Sequence, residues 1–302
     1  MRLKVEGIFL LVAPWLLAAS LPAAAAGIDK WDGGNCLTGP ALQNSCTETV
    51  TANGGGPTLT WSAISDTDSN SGTTGGPRTL AGAYVGNSSP NLGVTSKAGL
   101  NTQATPCSAI TQEECQTPPQ DFMDNDGNSE FMLLSFASAV TLTDVQLGAH
   151  NAGLADSDLT ILAYTFGGTP TLNGRSYSGL ASGMQGWQLI GNYADVWDTA
   201  STPTGFGIQT HTVKINPGNV SSSYWLIGAY NNSFGSLISG GVGSALTFGN
   251  DYVKLLAVYG QQGVIAAVPE PSSVLLICIA LIGFTMLRKR GVFSGGFQVA
   301  RL

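Results

Sequence analysis

The chain has 302 residues, and its 12 basic and 19 acidic residues leave a net charge of −7. Only 10% of the residues are charged, whereas glycine alone contributes 40. We expect such an acidic chain to bind neither nucleic acid nor an anionic membrane surface, because both attract basic proteins. Few charges and many small residues are more typical of an extracellular β protein with long turns than of a cytosolic enzyme.

Residues 1–26 have the pattern of a secretory signal peptide. Arg2 and Lys4 precede an apolar stretch over residues 8–19, and the small residues Ala24, Ala25 and Ala26 follow it. A basic start, an apolar centre and small residues before the cleavage point are the three features of such peptides. We expect signal peptidase to cleave before Gly27, which places the rest of the chain outside the cytoplasm.

Residues 27–123 have the composition of a loop-rich N-terminal part of the exported domain. Apolar runs predict short strands over residues 59–64, 80–85 and 92–94. Segments rich in glycine, serine, asparagine and threonine separate these runs and predict turns or long loops.

Four of the five cysteines lie in this part as two neighbouring pairs, Cys36 with Cys46 and Cys107 with Cys115. In an oxidising compartment the simplest interpretation is two disulfide bonds that close two local loops. Four cysteines allow three connectivities, so the other two pairings stay open. A metal–thiolate site is a further alternative, although the spacings are not those of zinc sites.

Residues 124–262 predict the β core of the domain. Apolar or alternating runs predict strands over residues 130–136, 140–147, 159–166, 187–190, 211–215, 224–230 and 252–259, and the alternation in the second run slips by one residue at Asp144. Many short strands without a convincing helix predict an all-β fold, an antiparallel β-sandwich of the jelly-roll type. The predicted core residues are Phe131, Leu133, Leu134, Phe136, Leu142, Val145, Leu147, Ile161, Trp187, Trp225, Ile227, Val253 and Leu255.

An acidic turn precedes the first strand of this core. Asp124, Asp126 and Glu130 place carboxylate oxygens around Gly127, which is the pattern of a calcium loop. Calcium is the only cofactor that the sequence indicates, with these three residues as its ligands. However, Ser135 occupies the position at which an EF-hand supplies its bidentate glutamate. An Asx-rich turn without a metal is therefore the alternative interpretation.

Other polar residues give little support for catalysis. Asp156 and Asp158 lie two residues apart before a strand, so their carboxylates could converge on a cation or a sugar hydroxyl, or belong to a solvated turn. His150 and His211 are the only histidines, and no serine lies in a G-x-S-x-G motif. We therefore predict that the protein is not an enzyme, and a secreted hydrolase is the third-ranked function.

Aromatic residues in or beside predicted loops suggest a binding function instead. These residues are Trp61, Tyr84, Tyr177, Trp197 and Tyr230. An exposed ring can stack on the face of a sugar, so a carbohydrate-binding module for exopolysaccharide is one alternative function. Packing of each ring in the core or against a loop is the competing interpretation, since the largest rings are normally well buried.

Residues 263–302 form a tail with three parts in a fixed order. An apolar run predicts a transmembrane helix over residues 272–287, which would rise roughly 24 Å, slightly less than the roughly 30 Å of the hydrocarbon core. Prolines before the run end the preceding domain, and basic residues after it mark the cytoplasmic end. The tetrad is Val268, Pro269, Glu270 and Pro271, and the basic stop is Arg288, Lys289 and Arg290.

This tail resembles the PEP-CTERM sorting signal of bacterial surface and matrix proteins, which a membrane protease called exosortase processes. The strands of residues 124–271, including YWLIGAY at 224–230 and DYVKLLAVY at 251–259, resemble a family of exosortase-dependent surface proteins. An ordinary C-terminal membrane anchor is the alternative, and residues 291–302 depart from the family pattern because such tails usually end soon after the basic stop.

The resemblance implies a route and a place for the protein. It implies export across the inner membrane, transient anchoring by the C-terminal helix, and release to the cell surface or extracellular matrix. The implied partners are signal peptidase and exosortase during export, with exopolysaccharide as a candidate afterwards. The implied role is structural or adhesive, because no biochemical activity is established for the family.

Overall fold

The computed structural model describes residues 27–48, 56–67, 79–88, 91–97, 122–125, 128–150, 157–196, 210–249 and 251–262. Within these ranges the chain is almost entirely β structure, which confirms the all-β prediction. The helical elements of these ranges are α1 (Gly34–Leu37), α2 (Tyr177–Ala181) and a 3₁₀ turn at Asn232–Phe234. The strands are β1 (Asp29–Trp31), β2 (Leu42–Gln43), β3 (Ser45–Glu48), β4 (Leu59–Asp66), β5 (Leu80–Ser88), β6 (Asn91–Thr95), β7 (Met123–Asp124), β8 (Glu130–His150), β9 (Leu159–Tyr164), β10 (Trp187–Ala194), β11 (His211–Lys214), β12 (Ser222–Ala229), β13 (Ile238–Gly241) and β14 (Tyr252–Gln262).

The described strands form one 14-stranded sheet that closes on itself. β4, β5, β6, β14 and β8 form a ring, since β6 meets β14 at Leu92 and Leu255 and β14 returns to β8. β12, β9, β10 and β13 extend the sheet from β8. A jelly roll requires two separate sheets that face each other. The strand pairing does not show this arrangement, so the jelly-roll part of the prediction is corrected to a single sheet with a closed ring.

β8 is the strand that makes the closure possible. The sequence predicts separate strands over residues 130–136 and 140–147, whereas β8 runs without a break through 21 residues. Its first half pairs with β4 and β12, for example Leu134 with Trp61 and Trp225, and its second half pairs with β14 and β11, for example Val145 with Val258 and Val213. One strand therefore contributes to two parts of the sheet.

The alternation within β8 slips as predicted, and the cause is a β-bulge. From Leu142 to Asp144 the pairing advances two residues on β8, whereas it advances one residue on β14, from Gly260 to Tyr259. Thr143 is the extra residue, and such a residue shifts the side chains after it to the other face. Leu142 and Val145 consequently both point into the core.

Apolar side chains pack on both faces of the sheet. The inner cluster draws residues from the ring strands and also from β1, β9, β10 and β12, and it includes the fully buried rings of Trp31, Trp61 and Trp225. The outer cluster lies beneath α2 and includes Phe131, Leu180, Trp187 and Phe234. All of the 13 predicted core residues are buried except Leu133, which is partly exposed on the outer face. The N-terminal part contributes to the same core, because Trp31 and Trp61 come from β1 and β4.

Candidate functional site

Several predicted features lie outside the described residues. These features are the signal peptide, the sorting tetrad, the basic stop, the transmembrane helix over residues 272–287, Asp126, Asp156, Trp197, and the Cys107 and Cys115 pair. Among the residues that the structure describes, no helix has both the length and the apolar character needed to cross a membrane.

Cys36 and Cys46 form a disulfide bond, with 5.4 Å between their Cα atoms. Cys36 lies fully buried in α1, and Cys46 lies in β3 opposite Trp61 of β4. The side-chain amide of Asn87 in β5 donates hydrogen bonds to the carbonyl oxygens of Cys36 and Leu37, at 3.0 and 2.9 Å. The bond is the local pairing that the sequence favours, and it holds α1 against the sheet.

We expect replacement of Cys36 and Cys46 together by alanine to lower the free energy of unfolding by about 3 kcal/mol, because the unfolded chain regains the entropy of a short closed loop. Denaturant unfolding of the variant beside the oxidised wild type measures this difference. As the control, the variant and the wild type are both measured under reducing conditions, where they should unfold close to each other. Equal stability of the variant and the oxidised protein would contradict the prediction.

Two of the predicted calcium ligands, Asp124 and Glu130, lie on different strands. Asp124 is buried in β7, where it pairs with Tyr252 of β14, and Glu130 is buried at the start of β8. Among the described residues, no group of three or more His, Cys, Asp or Glu side chains could hold a metal ion. Since Asp126 lies outside the described ranges, the complete ligand set of Asp124, Asp126 and Glu130 stays a prediction.

Asp158 belongs to a buried polar network instead of a solvated turn. Its Oδ1 accepts a hydrogen bond from the backbone N–H of Asp195 at 2.7 Å, and its Oδ2 accepts one from that of Thr247 at 2.8 Å. Its own backbone N–H donates to Oδ1 of Asp251 at 2.8 Å. Both carboxylates are fully buried. Asp158 thereby joins the start of β9 to the end of β10 and to the loop before β14.

Asn125 continues the network from Asp251. Its side-chain N–H₂ donates one hydrogen bond to Oδ2 of Asp251 and another, at 2.8 Å, to the carbonyl oxygen of Tyr230. Its Oδ1 accepts hydrogen bonds from the backbone N–H groups of Gly249 and Asp251, at 3.0 Å each. Burial raises the pKa of Tyr230, and the nearby negative charges of Asp158 and Asp251 raise it further. Because these polar groups bind main-chain groups of several segments, the arrangement fits a structural role that fixes the loops at this end of the sheet.

Glu48 is another buried carboxyl group, at the end of β3. Its Oε1 accepts from the backbone N–H of Asp32 and its Oε2 from the indole N–H of Trp61, both at 2.9 Å. The pKa of Glu48 is raised to about 7, chiefly by burial. The hydrogen bond from the Trp61 indole lowers this pKa, and the negative charge of Asp32 raises it. Glu48 therefore changes charge near neutral pH within the core.

The aromatic residues that the sequence suggested as binding residues are mostly packed. Trp61, Tyr177 and Tyr230 are buried, and the Tyr177 hydroxyl donates to the carbonyl oxygen of Ser129 at 2.8 Å. Tyr84 is partly buried, and the Lys97 Nζ lies 4.4 Å from its ring centroid. The core-packing interpretation is thus confirmed for the three buried rings, and their proposed role as sugar platforms is wrong.

Other rings lie on the outer face of the sheet, where the sequence did not suggest a site. Phe166, just after β9, is 58% exposed, and Tyr164 and Tyr224 are partly exposed. The ring centroid of Tyr164 lies 6.2 Å from that of Phe166 and 6.1 Å from that of Tyr224. Tyr164 also packs on the buried ring of Trp187, at 5.4 Å. Only the pairing of β9 with β12 brings these rings together.

The same row continues across three more strands. Tyr224 of β12 pairs with Ser135 of β8, Ser135 pairs with Thr60 of β4, and Thr60 pairs with Thr47 of β3. These hydroxyl residues are partly or fully exposed. We call this row the hydroxyl–aromatic strip, and it consists of Thr47, Thr60, Ser135, Tyr224, Tyr164 and Phe166.

Comparison with known proteins identifies the tail. Residues 267–290 match the family model described as the PEP-CTERM protein-sorting motif. A search of curated proteins found no match. The motif implies export and exosortase-directed sorting to the cell surface, whereas the resemblance of residues 124–271 to exosortase-dependent surface proteins stays a prediction. The chain therefore carries a PEP-CTERM protein-sorting motif at residues 267–290.

Proposed function

We propose that the protein is a non-enzymatic structural or adhesive component of the cell surface or extracellular matrix. The sorting motif at residues 267–290 carries this proposal, since it implies exosortase-mediated sorting of the chain to the cell surface. An all-β domain with few charged residues and a disulfide bond suits such an environment. Signal peptidase and exosortase would act on the chain during export, with the predicted helix over residues 272–287 as a transient anchor.

Alanine at Pro269, Glu270 and Pro271 tests the sorting step. We expect export to continue, because the signal peptide is unchanged, and the unprocessed chain to accumulate in the inner membrane. Cell fractionation and the mass of the chain measure both effects. Alanine at Gln261 and Gln262, just before the matched residues, is the control and should be sorted normally. Surface display of the triple variant with its tail removed would show that the tetrad is not the signal.

Adhesion itself needs a separate measurement. Cells that lack the chain should attach to surfaces and to one another less than cells that carry it, and the alanine variant of the tetrad should resemble the cells that lack it. Normal attachment without the chain would contradict the adhesive role while leaving the sorting motif unaffected.

Binding of exopolysaccharide is the second candidate function. The exposed ring of Phe166 beside Tyr164 and Tyr224 favours it, because aromatic rings on a sheet surface can stack on sugars. Retention of the protein by immobilised exopolysaccharide from the same cells would test this function. A secreted hydrolase would be the third candidate, and turnover of a glycan would be needed to support it.

A further inference from the structure

We propose that the hydroxyl–aromatic strip binds a single uncharged, β-linked polysaccharide chain laid across the strands. This inference rests on the carbohydrate-binding function proposed above, and it adds the place, the direction and the charge class of the ligand.

The strip is a long, narrow row of side chains that crosses the strands, and we also call it the track. Its first five residues lie on five neighbouring strands, in the order β3, β4, β8, β12 and β9. Neighbouring strands are about 4.8 Å apart, so four intervals give a length of about 19 Å, and Phe166 extends the track at the β9 end. A track of this length offers contacts to several consecutive sugar units.

The side chains along the track match the two kinds of surface on a sugar. In a β-linked hexose with equatorial hydroxyl groups, both flat faces present C–H groups, which stack on aromatic rings such as Phe166 and Tyr164. The hydroxyl groups lie around the edge, where Ser and Thr hydroxyls can both donate and accept hydrogen bonds. Thr47, Thr60 and Ser135 supply such groups at the other end of the track.

The structure holds the aromatic end in place before any ligand arrives. The backbone N–H of Thr165 donates to the carbonyl oxygen of Gly186 at 2.8 Å, and the Ser222 hydroxyl donates to that of Tyr164 at 2.6 Å. The hydroxyls of Thr169 and Tyr224 are hydrogen-bonded at 3.2 Å. A Cβ atom at Gly186 would lie 2.6 Å from the Phe166 ring, so glycine lets the ring lie against the backbone. Little ordering entropy would be lost on binding.

Charge favours a neutral glycan over an anionic one. No side chain of the strip is charged, so a neutral sugar meets no buried or unpaired charge there. The whole chain has a net charge of −7, which repels a polyanion such as a polyuronate. A second copy of the acidic chain is disfavoured on the strip for the same reason.

The test is binding of the purified full-length chain to cellohexaose by titration calorimetry, with affinity electrophoresis in hydroxyethyl cellulose and in alginate. We expect binding to the two uncharged β-linked glucans and not to alginate. Phe166→Ala should weaken binding about tenfold, which is the size of loss expected when an aromatic ring that contacts the ligand is truncated. Ser135→Lys should abolish it by placing a bulky charge in the middle of the track.

Leu237→Ala is the matched control, because Leu237 is also an exposed apolar residue, at 77%, but lies beside β13, away from the strip. It should bind as the wild type does, and thermal unfolding should show that all three variants are folded. Unchanged glucan binding by the Phe166 and Ser135 variants would overturn the site while leaving carbohydrate binding intact. The proposal would be overturned if the wild type bound neither glucan, or if it bound alginate more strongly. If it also failed to bind the cells' own exopolysaccharide, the underlying carbohydrate-binding function would be overturned too.

Discussion

Replacement of Asp158 by alanine should lower the free energy of unfolding by about 3 kcal/mol or more. The variant leaves the backbone N–H groups of Asp195 and Thr247 without the carboxylate oxygens that accept from them in the wild type. Hydrogen bonds to a charged acceptor contribute about 1.5 to 3 kcal/mol each, and a buried donor that loses its acceptor also keeps its desolvation cost. Denaturant unfolding followed by tryptophan fluorescence measures the change.

Asp144→Ala is the control for this prediction. Asp144 also lies in a strand, β8, but it is partly exposed, so its loss should change the free energy of unfolding by no more than about 0.5 kcal/mol. Asp158→Asn should remain clearly less stable than the wild type, because its amide N–H₂ would face one of the two backbone donors. If Asp158→Ala and Asp144→Ala were equally stable, the network would not hold the loops together.

Replacement of Glu48 by glutamine should remove a pH dependence of stability near neutral pH. The pKa of Glu48 rises from an ordinary value of 4.5 to about 7 in the folded protein, chiefly because of burial. The folded state therefore binds the proton more tightly than the unfolded state, and stability falls as the pH rises. The contribution of Glu48 is fully present below about pH 4.5 and is lost by about pH 7, a change of at most about 3 kcal/mol.

Unfolding at a series of pH values between 4 and 8 measures this effect. The difference in free energy between wild type and Glu48→Gln should change steadily up to pH 7 and then stay constant. Asp32→Asn is the matched control: it removes a nearby negative charge that raises the pKa of Glu48, so it should move the change to lower pH without abolishing it. A difference that is the same at every pH would mean that Glu48 titrates normally.

Local patterns in the sequence were sufficient for the positions of most strands. Continuous or alternating apolar runs predict β9, β12 and β14, because each strand buries apolar side chains on one or both of its faces, whatever its neighbours are. The slip at Asp144 is visible for the same reason, since the bulge at Thr143 shifts the alternation within a single strand. Spacing and compartment likewise favour the link between Cys36 and Cys46, and the sorting motif is a continuous segment that needs no tertiary structure to be recognised.

The burial of individual polar and aromatic residues depended on neighbours that are distant in the sequence. Trp61 and Tyr177 lie beside loop-like segments, yet the sheet and α2 bury both rings. Asp158 has the local pattern of a solvated turn, and only Asp195, Thr247 and Asp251 make it a buried acceptor. Sequence spacing carries no information about such partners.

The strand order was also decided by tertiary structure alone. Alternation shows which side of a strand is apolar, but it does not show which strand lies beside it, so the closed ring and the unbroken β8 were not predictable. The hydroxyl–aromatic strip depends on the register of five strands, and a shift of one residue in any of them would turn its side chain to the opposite face. The sequence by itself determined the β character of the chain and its route to the surface, whereas the surface available for binding exists only because pairing between distant strands sets that register.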